Sequence, residues 1–148
     1  MHSLGLLLLR IVIGAIMMVH GYPKLFGGEQ KGEQIPPEAK ETLGDAFVES
    51  VEQGGIEQTA GMMEQLKLPN PKASALAVAI VEFGGGLALV LGWKARLAAL
   101  AIVFSQLVAI NKVHAQQGLV SGYEYNASLI AGAGCIALSG PGKIAVDR

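Results

Sequence analysis

The sequence predicts an all-α, integral-membrane four-helix bundle with a long extracytoplasmic loop that carries short amphipathic helices. Three observations lead there. Apolar residues make up 51% of the 148-residue chain and charged residues only 16%, whereas soluble domains carry about 25% charged residues; the mean hydropathy is +0.45. Apolar windows recur four times, at approximately residues 4–24, 73–93, 95–113 and 124–141. The acids are segregated between Gly27 and Pro71, where Glu29, Glu33, Glu38, Glu41, Asp45, Glu49, Glu52, Glu57 and Glu64 face only Lys31, Lys40 and Lys67. The length suits one domain over residues 1–148.

The first window, Leu4 to Val19, holds Arg10 as its one charge and runs on through His20 and Lys24. A hydrocarbon core of ~30 Å needs roughly 20 apolar residues, and flanking residues complete the count by snorkelling. Met-His-Ser lacks a basic leader region, Arg10 interrupts the apolar run and no small-x-small cleavage site follows, so the segment reads as a retained helix. In the 27–71 loop, Phe47, Val51, Ile56, Ala60, Met63 and Leu66 recur at spacings near three and four. Gly54-Gly55 interrupts them, which predicts two short helices over the outer mouth, as a surface subdomain or as a lid or docking surface.

The second membrane window contains only Glu82 as a charge, and the stretches Leu97 to Asn111 and Tyr125 to Gly142 at the centre of the third and fourth contain none. Lys94 and Arg96 in the tight turn GWKAR, with Lys143 and Arg148 in the tail, mark those ends as cytoplasmic. Both termini are then expected inside the cytoplasmic membrane, with the acidic loop outside. Small residues at four-residue spacing, such as Ala75 with Ala79 and Ala95 with Ala99, predict closely approaching helices.

Several function classes are excluded. There is no basic face for nucleic acid, and the single Cys135 leaves no CxxC for thiol exchange. GGEQKGEQ lacks the GK[ST] of a phosphate-binding loop, and neither a serine elbow nor HExxH occurs.

The candidate chemistry rests on polar residues inside or beside the spans. Charges within a span are costly and usually face a partner in the bundle. Counting along the helices puts Arg10 and Glu82 within ~6 Å in depth at 1.5 Å per residue, so an Arg10–Glu82 ion pair is expected, either fixing register or binding a polar head group. His20 and Lys24, at i and i+4, share one helix face. Asn111, Lys112, His114, Tyr123, Glu124 and Asn126 fall in the same leaflet, with Tyr22 and Tyr123 as interfacial aromatics.

Catalytic candidates are Arg10, Glu82, His20, His114 and Glu124; cofactor-binding candidates are these together with Lys24 and Asn111. A histidine beside a carboxylate suits proton transfer to or from a quinone. Haem or metal ligation through His20 and His114 is disfavoured, because two histidines are a weak signal, and no metal site is expected.

An arginine in the first helix followed by HGYPKLFG (Gly21 to Lys24, Leu25), then EFGGGLALVLGWKAR (Glu82, Gly86, Gly92, Arg96), GYEYN (Gly122 to Asn126) and GPGKIAVD (Gly140 to Asp147) occur in order. With these pieces the chain resembles the DoxX-like family of small four-helix membrane proteins. The resemblance covers all four helices and implies a cytoplasmic-membrane bundle associated with quinone-linked oxidation; the family includes the small subunit of a thiosulfate:quinone oxidoreductase and members complexed with redox enzymes. The 27–71 loop is longer than is usual there.

The expected function is a membrane subunit of a quinone-linked oxidoreductase system, binding a quinone or similar small amphiphile between its helices. The alternative is a non-catalytic scaffold or assembly subunit that docks redox partners through the 27–71 loop. The expected partners are the lipid bilayer and a redox enzyme or, as a homo-oligomer, further copies of the chain.

Overall fold

The computed structural model describes residues 2–147, and every regular element among them is helical. Helix α1 (His2–Phe26) comes first. The acidic segment folds into a short 3₁₀ turn and the helices α2 (Pro37–Leu43), α3 (Asp45–Glu52) and α4 (Ile56–Gln65). Helix α5 (Pro71–Ala79) continues through a π-helical turn, Ile80–Gly84, into α6 (Gly85–Leu91). Helix α7 (Ala95–Ala109) extends through further helical turns to Gln117, and α8 (Glu124–Ser139) closes the helical series. Gly54 and Gly55 separate α3 from α4 at the break that the apolar spacing indicates.

The ends of these helices have local causes. Pro71 opens α5, where its missing N–H costs nothing. Gly92 ends α6 in the left-handed conformation at φ +71°, with the Trp93 amide donating to Ala88 O at 2.9 Å in a Schellman-type closure. Between α7 and α8 the helical path is broken, with Ser121 at φ 59° and Val120 extended.

Among the described residues three stretches are long and apolar enough to cross a membrane: Ser3–Phe26, Pro71–Leu91 and Ala95–Gln117. Their outward faces are greasy. On α7, Leu97, Leu100, Phe104 and Leu107 form an exposed stripe at heptad spacing, while Ala95, Ala98, Ala99 and Ile102 are buried. On α1, Leu4, Leu8 and Ile11 are exposed while Arg10 and Met17 are buried. This inverts the pattern of a soluble helix, and contiguous exposed apolar surface of this kind marks contact with lipid. The fourth expected span, 124–141, falls on α8, whose 16 residues rise about 24 Å at 1.5 Å per residue, shorter than the other three.

The chain divides into two compact units, one formed by the residues up to Met18 and from Gly84 onward, the other by Val19–Phe83. In the first, α1 and α6 cross at two glycines: a Cβ on Gly86 would lie 2.6 Å from Gly14 O, and one on Gly14 would lie 2.6 Å from Gly86 O. Helix α7 packs most extensively on α8, and a buried Asn126 amide donates to Gln106 Oε1 at 2.8 Å. Arg96 donates to Ala137 O and Leu138 O, both at 3.1 Å, closing the C-terminal end of α8.

In the second unit, α4 packs on α5 and α2 on α3, with Val51, Met63, Ala75 and Ala79 as the apolar core. Glu52 fastens the turn before α2, accepting from the Gln30 amide at 2.6 Å and the Gly32 amide at 2.7 Å. Tyr22 is half-buried and stacks among Phe26, Phe47 and Phe83, with ring centroids 5.0, 5.9 and 6.2 Å away.

Candidate ligand-binding groove

The buried Arg10 and the half-buried Lys24 are satisfied differently. Arg10, 1% exposed, lies in the first unit and spends its donors on backbone carbonyls. Nε donates to Leu89 O at 2.8 Å, Nη2 to Val90 O at 3.2 Å, and Nη1 to Ile144 O at 2.8 Å and to Pro141 O. The first two acceptors belong to the last turn of α6, where helix geometry leaves carbonyls without intrahelical partners. The other two belong to the segment after α8. That segment is tied down further: the Val146 and Asp147 amides donate to Leu91 O and Gly92 O, both at 3.1 Å, and Asp147 Oδ2 accepts from the Lys94 amide at 2.5 Å.

The expected Arg10–Glu82 ion pair does not form. Glu82 instead pairs with Lys24 of α1, Oε2 to Nζ at 2.5 Å, the side chains 11% and 21% exposed. Glu82 is carried on the π turn, and the α6 carbonyls that Arg10 engages lie seven and eight residues beyond it. A close crossing holds α1 to that turn, since a Cβ on Gly21 would meet Glu82 and Phe83 backbone atoms. Lys24 Nζ also donates to His20 O at 3.0 Å.

Beside this pair is a groove of about 510 Å³ walled by α1, α3 and α4. Its volume is in the range of small-molecule sites, about 300–1,000 Å³. His20 and Lys24 line it from α1, Ala46 and Phe47 from α3, and Thr59 and Met62 from α4.

Backbone contact ties the end of α1 to the α3–α4 elbow. Pro23 O accepts from both the Gly27 and Gly55 amides at 2.9 Å, and Gly28 N donates to Val51 O at 2.8 Å. A Cβ on Gly54 would strike the Pro23 carbonyl, so no side chain fits at this crossing. Pro23 contributes a carbonyl that two amides share.

The remaining sequence candidates lie elsewhere. His114 bonds Gln117 Oε1 through Nδ1 at 2.9 Å. Glu124 accepts from the Ser121 amide at 2.9 Å, ordering the turn into α8. Asn111 and Lys112 are exposed, and Asn126 is committed to Gln106. These belong to the first unit, whereas His20, Lys24 and Glu82 belong to the second. Among the described residues no group of three His, Cys, Asp or Glu side chains is placed to hold a metal ion. The groove-lining Ala46, Ser50, Gln58 and Thr59 were not singled out from the sequence, where they read as ordinary residues of amphipathic helices.

Helices with apolar outward faces and polar groups turned inward define an all-helical membrane protein. The DoxX family model matches residues 5–115, and the chain belongs to that family. No curated protein and no solved structure matches the chain.

Proposed function

We propose that this DoxX protein is a membrane subunit of a quinone-linked oxidoreductase system that holds a quinone or similar small amphiphile in the groove between α1, α3 and α4. The observation that carries this reading is the groove itself: an apolar cleft of about 510 Å³ with His20 and Lys24 on one wall. An amphiphile needs that combination, an apolar bed for its tail and a few polar groups for its head. Arg10 stands outside the ligand contacts, because its donors already serve carbonyls.

In this reading α8 is the fourth span of a bundle in the cytoplasmic membrane, its shortness met by local thinning of the bilayer and by flanking residues at the interfaces. Lys94, Arg96 and Lys143 lie at cytoplasmic ends with both termini, and the helices α2, α3 and α4 are extracytoplasmic. A separate redox enzyme supplies the electrons. The rival reading, a scaffold that docks such an enzyme, draws on the nine carboxylates of the 27–71 segment.

The test is the quinone content of protein purified in mild non-ionic detergent. Ala46 is exposed and lines the groove, so Ala46→Trp fills the cleft without entering the core. Co-purified quinone in the native protein and its loss in A46W are expected; no quinone in the native protein, together with a stoichiometric protein partner, favours the scaffold.

A further inference from the structure

We propose that the Lys24–Glu82 pair sets the head-group charge that the groove accepts, selecting amphiphiles with an uncharged, hydrogen-bond-accepting head over those with a carboxylate or phosphate. This rests on the reading that the groove holds an amphiphile and adds what chooses among amphiphiles.

Lys24 is the one Lys or Arg among the described residues that line the groove. Alone it would recruit anions. Its charge is instead cancelled at 2.5 Å by Glu82, a residue 9% exposed and held on the π turn. An ammonium has three donors; one goes to Glu82 and one to His20 O at 3.0 Å. The third matches a single neutral acceptor such as a ring carbonyl. Apart from His20, the other polar side chains that line the groove, Ser50, Gln53, Gln58 and Thr59, are uncharged. Thr59 donates its hydroxyl proton to Gly55 O at 2.8 Å, so it offers a ligand no further proton. The same unit carries the acidic excess of the 27–71 segment, which adds repulsion to any anionic head.

The pair therefore makes a prediction with a sign. Glu82→Gln leaves an uncompensated cation and moves preference toward anionic heads. Lys24→Gln leaves an uncompensated carboxylate and moves it toward cationic heads. Lys24→Gln/Glu82→Gln removes both charges and keeps the original order. A role confined to helix register would lower stability in the single variants without exchanging which head group binds.

The experiment measures binding of three probes with alkyl chains of nine or ten carbons, a decyl-substituted benzoquinone, decanoate and decylamine, to the full-length protein in non-ionic detergent by calorimetry. Native protein is expected to prefer the quinone over both ions by about tenfold or more, roughly 1.4 kcal/mol. E82Q is expected to gain about tenfold for decanoate, and K24Q about tenfold for decylamine. Native protein that binds decanoate as tightly as the quinone overturns the proposal, a result available even where a single variant fails to fold. A46W separates the two levels. If A46W abolishes quinone binding while the charge variants leave the probe order unchanged, the charge proposal alone fails; if A46W affects no probe, the groove reading fails with it.

Discussion

Replacing Arg10 with methionine tests whether this buried cation is a structural clasp. Methionine keeps an unbranched side chain while removing the charge and the donors. Four carbonyl acceptors are lost, those of Leu89, Val90, Pro141 and Ile144. Hydrogen bonds to charged groups contribute about 1.5–3 kcal/mol each, so the four sum to roughly 6–12 kcal/mol before the guanidinium's own desolvation is counted. That desolvation costs several kcal/mol, which leaves a net loss of about 3–5 kcal/mol. We expect Arg10→Met to lose that amount in a denaturation titration followed by helical circular dichroism in mixed micelles. Arg10→Lys should fall between, since an ammonium cannot reproduce the planar fork. The second readout is local: the segment held by Arg10 contains Lys143, so trypsin should cut there faster in Arg10→Met than in the native protein. A loss below about 1 kcal/mol, the median worth of an exposed ion pair, with unchanged cleavage at Lys143, would refute the clasp.

Three further outcomes are expected. Gly86→Leu should cost at least about 1–3 kcal/mol through overpacking, because its Cβ would lie 2.6 Å from Gly14 O; Gly134→Leu, where nothing lies within 4 Å of a Cβ, should leave the melting profile unchanged, and equal loss in both would contradict the crossing. Lys24→Met should cost about 3–5 kcal/mol by leaving Glu82 buried without its partner, whereas Lys24→Met/Glu82→Met should recover most of it; a double variant no more stable than the single would contradict the pairing. Asn126→Leu should cost about 0.6–2 kcal/mol, as interhelical polar contacts in membranes do, and in a double-mutant cycle with Gln106→Leu the two losses should fall short of additivity, since both break the 2.8 Å contact.

Apolar windows bounded by glycine, proline and charge were enough to read α1, α5 with α6, and α7, because a lipid-facing helix announces itself by composition alone. The break between α3 and α4 was equally legible from Gly54-Gly55. Arg10 was recognisable as a buried charge in need of a partner, yet its acceptors are backbone carbonyls, which every residue carries and no sequence pattern marks. The partner of Glu82 was hidden for a different reason. The count of depth at 1.5 Å per residue set Arg10 level with Glu82, whereas Arg10 reaches the carbonyls of Leu89 and Val90, seven and eight residues further along the chain. The groove was out of reach because it depends on the angle of the α3–α4 elbow, fixed by hydrogen bonds from Gly28, Gly55 and Gly27.

Which cation can meet a ligand follows from what each has left over. Arg10 is 1% exposed and distributes its bonds over four carbonyls on two segments; any ligand would have to break a helix terminus open to reach it. Lys24 keeps 21% of its side chain exposed and uses two of its donors, so one proton can be offered without dismantling anything. The contrast extends to the acids. Glu52 and Glu124 are engaged with backbone amides, Glu52 with those of the turn before α2 and Glu124 with that of its own turn, whereas Glu82 answers a side chain that lines a cavity. Substitutions at Arg10 should therefore change only how much folded protein there is, whereas substitutions at Lys24 and Glu82 should also change what that protein holds.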